Sequence, residues 1–301
     1  MALPITVAGA TGDLGSRVVR ALTARGAHVI ALVRPDTEPA RLTGLHNSSI
    51  TIKTVSLDDA PNLCAAVAGS GCVVSTLNGL EEVIIEQQGR LLEATIAAGV
   101  PRFIPSDYSL DYTRTRPGDN RNMDLRRRFA ARLETVDINV TSILNGGFLE
   151  LLEGDAPLVV PGRRVLHFGD AQQPLDFTAK DDVAAFTADA ALDPHSPRFL
   201  RIAGNSLSPA QIAHMLTELT SQPYRTLRPG NIGTLSALIG IARLLTPATG
   251  NPFPAWQGMQ YLRDMMSGRG KLLNLDNERY GPRKWASVRD TLAHTYAQGI
   301  K

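Results

Sequence analysis

The chain has 301 residues, of which 43% are hydrophobic and 20% are charged, and its formal net charge is +2. These values are typical of a globular protein of one large or two smaller domains, and they give no reason to expect a nucleic-acid or membrane partner. The most apolar late run, residues 232–245, is too short to span a bilayer. Two cysteines are too few for a disulfide framework, and no signal peptide precedes the first strand, so we expect a cytoplasmic protein.

The first predicted element is a buried strand over residues 3–9, followed at once by a glycine-rich turn and a helix over 16–25. Such a turn leaves backbone N–H groups without partners at the start of the helix, where the helix dipole adds positive potential. The turn therefore predicts a pyrophosphate site. Its residues are Gly9, Thr11, Gly12, Asp13, Leu14 and Gly15. The alternative is a tight turn with a purely structural role.

Strands and helices then alternate as far as residue 104. This alternation indicates an α/β fold with a doubly wound parallel Rossmann sheet. Ligands of such sheets lie beyond the carboxyl ends of the strands, so residues that directly follow strands are candidates for cofactor binding. Besides the first turn, these candidates are Arg34, Ser75, Thr76, Asn78, Pro105 and Ser106.

The pattern changes after residue 104, where residues 107–122 are predicted to form a polar loop over the site. A later strand over 138–144 ends at Asn145, which could bond the nicotinamide amide or the substrate; the alternative is a turn residue before two glycines. A strand over 175–178 is expected to return to the main sheet. We therefore predict an NADP-binding Rossmann domain over 1–152, joined by about 172–192, and a smaller, mostly helical substrate domain over 153–301.

The end of the second strand favours NADP over NAD. An NAD site carries an acid at this point, whereas a 2′-phosphate needs a cation. The strand ends at Arg34, which could bind a phosphate bidentately, and Pro35 is expected to direct Asp36 away. Arg34 could also be a solvated loop cation. Asp58, after the third strand, is expected near the adenine or as a helix N-cap.

Several stretches together resemble the NmrA-like and isoflavone-reductase-like branch of the atypical short-chain dehydrogenases. The matching stretches are residues 9–15, 100–108, 144–148, 175–184 and 267–280. The resemblance implies a Rossmann domain, NADP(H) as cofactor and a substrate pocket in the C-terminal part.

One residue departs from the family pattern. Isoflavone-reductase-like enzymes carry a lysine on the helix over 123–134, where this chain has Arg126 at or next to that position. Lysine can act as an acid or a base when desolvated, but arginine stays charged and could only stabilise negative charge. Tyr108 is the first choice of proton donor, and the alternative is that Tyr108 packs the loop. No metal-binding pattern is present.

Two functions remain open at this stage. The first is an NADPH-dependent reductase of a small quinone, enone or aromatic carbonyl compound, because hydride chemistry belongs to the cofactor and the protein positions the substrate. The second is a non-catalytic NADP(H)-sensing regulator that binds a protein partner, which the missing lysine suggests. The sequence does not predict an oligomeric state.

Overall fold

A computed structural model describes residues 3–153, 158–246 and 250–297. The chain forms two compact units. The first contains the residues up to Tyr108 together with 125–143 and 183–200, and the second contains 109–124, 144–182 and the residues from 201 onward. The predicted boundary at residue 152 between a nucleotide-binding and a substrate-binding domain stays a prediction.

The first unit is built on a six-stranded sheet in the order β3-β2-β1-β4-β5-β6, and every pairing in it is parallel. The predicted doubly wound Rossmann fold is thereby confirmed. The strand order reverses between β1 and β4, which is the point where ligands of such sheets bind. The strands are β1 Ile5–Ala8, β2 Val29–Val33, β3 Ile50–Thr54, β4 Cys72–Ser75, β5 Arg102–Ile104 and β6 Asn139–Val140.

Helices connect and cover the strands. Within the described residues, no helix combines the length and the apolar composition needed to cross a membrane. The α-helices are α1 Asp13–Thr23, α2 Ala60–Val67, α3 Gln88–Ala97, α4 Arg121–Leu133, α5 Lys180–Leu192, α6 Pro209–Thr220, α7 Ile232–Leu245, α8 Ala255–Met266 and α9 Val288–Leu292. Shorter 3-10 helices lie at Pro39–Leu45 and Leu149–Glu153, and π-helical turns lie at Glu82–Gln87 and Ala293–Ala297.

The central strands are apolar along their whole length because helices cover a parallel sheet on both faces. Val73 of β4 and Phe103 of β5 are register partners and have no exposed surface. Leu91 and Leu92 of α3 are equally buried in the same core. Each such side chain contributes about 1.5–3 kcal/mol on burial, so this core holds the strand ends rigidly in place.

The second unit has its own core and two three-stranded sheets, in the orders β14-β10-β9 and β13-β11-β8. Most of its strands are only two to five residues long, which leaves little alternation for a sequence pattern to reveal. A further pair joins β7 to β12. The strands are β7 Ser142–Leu144, β8 Gly147–Phe148, β9 Val159–Val160, β10 Arg164–Phe168, β11 Leu175–Thr178, β12 Phe199–Arg201, β13 Asn205–Leu207 and β14 Arg225–Gly230.

Two predictions about strands are wrong. The strand over 175–178 does not return to the main sheet, because β11 pairs with β8 and β13 instead. The strand over 138–144 is two strands: β6 belongs to the main sheet, whereas β7 pairs with β12. In both cases the residues form strands as expected, but the strand they pair with is set by distant parts of the chain.

Candidate functional site

The glycine-rich turn packs directly against the residue that follows β4. Gly9 has a φ of +81°, and a Cβ atom built on it would lie 2.8 Å from Thr76 Oγ1. A Cβ on Gly15 would lie 2.6 Å from the same oxygen and would also overlap the Gly9 carbonyl oxygen. Thr76 is fixed in turn, because its hydroxyl donates to the Ala8 carbonyl at 2.8 Å. The turn thus needs glycine at both positions, at the reversal in strand order.

The N-terminus of α1 is open to an anion. Its N-cap is Gly12, which offers no side chain, and the first helical hydrogen bond runs from Ser16 N to Gly12 O at 2.9 Å. The three preceding amides therefore have no acceptor within the helix. By contrast, α2 and α6 begin with side-chain caps from Asp59 and Ser208. An uncapped helix end carries positive partial charge that favours a phosphate group.

The cleft above the turn contains several of the predicted residues. Gly9, Thr11, Gly12, Arg34, Thr76 and Asn78 line it. It also contains residues that the sequence analysis did not single out: Ala8, Leu32, Val33, Arg41, Val55, Leu57, Leu77, Val83 and Gln87. The predicted residues Asp13, Leu14 and Gly15 form the helix start beneath it, and the Asp13 carboxylate accepts a 2.9 Å hydrogen bond from Arg17.

Two arginines lie at the end of the cleft next to β2. Arg34 is largely exposed, and Arg41 donates from Nη2 to the Thr11 carbonyl at 3.1 Å. The Asp36 carboxylate lies 3.5 Å from Arg34 Nε but does not line the cleft, so the expectation that Pro35 directs Asp36 away from the cofactor stays a prediction. An exposed pair of this kind is worth at most about 1 kcal/mol. Two arginines and one carboxylate at this end of the cleft leave a net positive charge, and the binding of a 2′-phosphate at Arg34 stays a prediction.

Asp58 does not line the cleft. Its carboxylate pairs with Arg90 of α3, and its backbone N–H donates to Ser56 Oγ. The alternative prediction of a helix N-cap is wrong, because the neighbouring Asp59 caps α2 by accepting from Asn62 N at 3.2 Å. The sequence pattern predicted an acid at this cap but placed it one residue early.

Buried hydrogen bonds connect the segments that follow β4 and β5. The Ser106 hydroxyl donates to the Leu77 carbonyl at 2.6 Å, and the Ser106 amide donates to Gln88 Oε1 at 2.8 Å. Pro105 precedes this link and accepts a hydrogen bond from Asp107 N. The Ser75 hydroxyl is buried with no hydrogen-bond partner among the described residues. Ser106 and Gln88 therefore fix the position of the strand ends, and none of these four residues lines the cleft.

Tyr108 lies in the interior of the first unit. Its side chain is 7% exposed, and its hydroxyl is buried with Thr187 and Cys72 among its neighbours. Burial raises the pKa of this phenol well above its usual range, and the charges of Cys72 and Asp107 add to the shift. A phenol in these surroundings is a poor proton donor at neutral pH. The packing alternative for Tyr108 fits these facts better than a catalytic role.

Arg126 is buried and holds the backbone beside Tyr108. Its side chain is 8% exposed, and its Nε donates to the Asp107 carbonyl at 2.6 Å. The helical neighbour Arg128 instead pairs with Glu81 at the surface. Of these two basic residues of α4, only Arg126 therefore places permanent positive charge beside the Ser106–Tyr108 segment.

Asn145 belongs to the second unit. It is fully buried, its Nδ2 donates to the Gly146 carbonyl at 3.3 Å, and its Oδ1 has no hydrogen-bond partner among the described residues. A buried carbonyl oxygen without a donor is costly, so such an atom is a candidate for contact with a ligand. Gly146 next to it has a φ of +69° and approaches Asp176 closely, which agrees with the turn predicted after this strand.

Comparison with known proteins places the chain in a family. The sequence model of the NmrA-like family matches residues 2–228. The chain belongs to the NmrA-like family. It is 30% identical over 237 residues to an isoflavone reductase homolog of Zea mays, covering 73% of this chain and 75% of that protein. It is 27% identical over 263 residues to pinoresinol reductase 1 of Arabidopsis thaliana, covering 81% of each.

The same fold is found in a solved member of this group. The structure of AtPrR2 with NADP+ and (+)pinoresinol superposes with a TM-score of 0.81 at 21% identity, covering 98% of this chain and 99% of that one. At this level of identity the likeness shows the fold. The resemblance predicted from the motifs is confirmed.

Proposed function

We propose that this member of the NmrA-like family uses NADPH to reduce a small quinone, enone or aromatic carbonyl compound. The coarser predictions, a reductase and NADP(H) as its cofactor, are confirmed by its relatives, which are named isoflavone and pinoresinol reductases. The substrate class and the residue roles below are our proposal. Bound NADPH supplies a hydride, and the protein provides binding, orientation and electrostatics.

One observation carries the proposal: the uncapped end of α1 and the two arginines are parts of the same cleft. The cleft runs from Gly12 at the helix end to Arg34 and Arg41 beside β2. The turn holds Gly9 and Gly15 against neighbouring backbone and Thr76, where a Cβ would fill the space. A dinucleotide with a pyrophosphate at the helix end and a 2′-phosphate at the arginines matches this arrangement.

The residues near the strand ends favour one substrate class. Arg126 cannot release a proton, and the Tyr108 hydroxyl is buried with a raised pKa. Hydride addition to a quinone leaves a phenolate-type anion, whose conjugate acid has a pKa of about 10, as in tyrosine. Water can protonate that anion after the transfer. A simple ketone would leave an alkoxide, which is nearly as basic as hydroxide and therefore needs an acid in the site. We therefore place quinones first among the three classes.

Arg126 is the residue that we assign to the developing negative charge. Its bond to the Asp107 carbonyl holds the guanidinium beside the Ser106–Tyr108 segment. A buried cation stabilises an oxyanion more strongly than an exposed one, because water screens it less. Asn145 Oδ1 is our candidate acceptor for the nicotinamide amide or the substrate.

Turnover and binding can be tested together. Titration with NADPH should show binding, and NADPH oxidation should be fastest with quinones and slowest with aromatic ketones. Binding without turnover on any quinone, enone or aromatic carbonyl would contradict the proposed substrates but leave the cofactor assignment intact. No binding of either pyridine nucleotide would contradict both.

Replacing Tyr108 with phenylalanine is expected to change kcat/KM for a quinone by less than about threefold, since removal of a buried hydroxyl without a partner costs little. A general acid contributes about 10²- to 10⁴-fold, so a loss of that size would restore Tyr108 as the proton donor. Steady-state kinetics of the purified variant decide between the two, with thermal unfolding as a check on the fold.

Replacing Arg126 with lysine is expected to introduce a titrating group into the site. The wild-type kcat for a quinone should lack a pH-dependent step from this residue, since arginine stays charged. In the Arg126→Lys variant, burial lowers the pKa of the lysine. The protonated lysine can then act as a general acid, so kcat for an aromatic ketone should be about tenfold higher than in the wild type. Arg128→Lys, on the exposed side of α4, is the matched control and should change neither profile.

A regulator that senses NADP(H) is the second candidate. The observation that favours it is the same pair of residues, since an arginine stands where the family has a lysine and burial raises the pKa of Tyr108. This function predicts unequal affinities for NADP+ and NADPH and a protein partner that binds only one of the two complexes. Calorimetry with both nucleotides measures the difference, and equal affinities together with quinone turnover would rule the regulator out.

A further inference from the structure

Helix α7 presents an apolar face to solvent. Leu238 is 40% exposed and Ile241 54%, and the exposure rises to 84% at Leu244 and 76% at Leu245 near the end of the helix. These positions share one side with the exposed small residues Gly233, Ala237 and Gly240. The opposite side packs inward through buried Leu235 and Ile239. The outward face thus contains no charged residue, which is unusual for a surface helix.

The surrounding sequence contains no acidic residue. Residues 219–263 contain no aspartate or glutamate and four arginines. The whole chain has 29 acidic residues in 301, about one in ten, so a segment of this length would ordinarily contain about four. The net charge of +2 is therefore unevenly distributed along the sequence, and the segment that includes α7 is positively charged, with Arg243 on the helix itself.

One arginine of this segment, Arg263, pairs with Asp119 and Asp264, but the other three are not neutralised within the part of the chain that the structure describes. Arg225, Arg228, Arg243 and the nearby Arg121 form no ion pair among the described residues. Elsewhere, ion pairs neutralise many of the exposed arginines, including Arg17, Arg90, Arg128, Arg132, Arg198 and Arg289.

Two of these arginines flank one tryptophan at the C-terminal end of α7. The guanidinium carbons of Arg121 and Arg243 lie 4.7 and 5.2 Å from the centroid of the Trp256 ring. Burial and the charge of Arg243 both lower the pKa of Arg121. Phe253, which is 52% exposed, lies in the same part of the chain. Unneutralised positive charge, one exposed phenylalanine and protruding leucines thus occur in this part of the chain, whereas Trp256 itself is buried.

We infer that this face of α7 docks on the surface of a lipid bilayer that contains anionic lipids. Aliphatic side chains that protrude from a helix insert among acyl chains, while flanking arginines bind phosphate headgroups. A second copy is a poorer occupant, since a symmetric pairing would bring the same arginines together without a carboxylate between them. Protein partners are also disfavoured, because leucine is under-represented at the energetic centres of protein interfaces. The helix would lie on the bilayer, because its 14 residues are too few to cross it.

Flotation with vesicles tests the inference on the intact chain. Binding is expected to vesicles that contain phosphatidylglycerol and to be at least about tenfold weaker to pure phosphatidylcholine. Raising the salt to about 1 M should release most of the protein, because screening then acts within about 3 Å. Binding to neither vesicle, or equal binding to both, would overturn the inference.

Variants separate the contribution of the apolar side chains to vesicle binding from that of the arginines. The double variant Leu244→Glu with Leu245→Glu should lose at least about tenfold in vesicle affinity. It replaces two inserted leucines with glutamates, which carry the same negative charge as the lipid headgroups. Leu273→Glu with Leu275→Glu, two positions that are each 43% exposed outside α7, is the matched control and should bind like the wild type. Arg225→Gln with Arg228→Gln should reduce the salt dependence.

Two further measurements close the test. Unchanged NADPH affinity in every variant shows that the chain is folded, and it keeps failure of this inference distinct from failure of the reductase function. Light scattering without lipid should show one mass at all concentrations. A concentration-dependent dimer that the Leu244 and Leu245 variant abolishes would identify a second copy as the occupant and overturn the lipid inference.

Discussion

Replacing Arg34 with alanine is expected to weaken NADP(H) binding about 10- to 100-fold and to leave NAD(H) binding nearly unchanged. A charge-assisted hydrogen bond contributes about 1.5–3 kcal/mol, which corresponds to about 10- to 100-fold in affinity, and the exposure of Arg34 favours the lower end of that range. NAD(H) has no 2′-phosphate, so it loses no such bond. Calorimetric titration of wild type and variant with each nucleotide measures the effect.

Two variants serve as controls for this result. Arg20→Ala removes the same charge from an exposed position of α1, outside the cleft, and should change neither affinity. Asp36→Asn removes the carboxylate that lies 3.5 Å from Arg34 and should tighten NADP(H) binding. An equal loss of NADP(H) and NAD(H) affinity in Arg34→Ala would mean that Arg34 does not bind the 2′-phosphate.

Replacing Gly15 with alanine is expected to reduce the affinity for both nucleotides by about 100-fold or more, which corresponds to about 2.7 kcal/mol. The added Cβ would overlap the Gly9 carbonyl and lie 2.6 Å from Thr76 Oγ1. Neither atom can move away without a cost in free energy. The Gly9 oxygen belongs to the backbone, and the Thr76 hydroxyl is held by its 2.8 Å hydrogen bond to the Ala8 carbonyl. The turn must therefore move away from the helix end where the pyrophosphate binds.

The control for Gly15 is a glycine in open surroundings. Gly258→Ala on α8 meets no atom within 4 Å and should leave binding unchanged. Circular dichroism and thermal unfolding distinguish a displaced turn from a lost fold. Full retention of affinity in a folded Gly15→Ala protein would show that the pyrophosphate does not bind at this turn.

The parts of the fold that follow from local pattern were predictable. Apolar runs marked β1, β2, β4 and β5, because strands of a covered parallel sheet are apolar throughout, and alternation of apolar and polar residues marked the edge strand β3. The pairing of later strands was not predictable, and the strand over 175–178 is the example. Its residues fix an extended backbone, but its partners β8 and β13 are decided by contacts far along the chain.

The candidate site shows the same division. Arg34 and Thr76 were found because they follow strands directly, and the structure brings both into one cleft. Arg41 was missed, because it reaches Thr11 from a 3-10 helix after a proline-containing loop and no strand end marks it. Tyr108 was placed at the sheet edge from its position in sequence, but its side chain turns toward Thr187.

By itself, the sequence of this protein determined the turn at Gly9–Gly15, the positions of the first five strands and the motifs of the family, because each of these is a local pattern of residues close together in the chain. Only the tertiary structure decided the direction of Tyr108, the pairing of Asp36 with Arg34 and the concentration of unneutralised arginines around α7. Backbone conformation is set by neighbours a few positions away. Side-chain direction, burial and charge pairing depend on residues that meet only when the chain is folded.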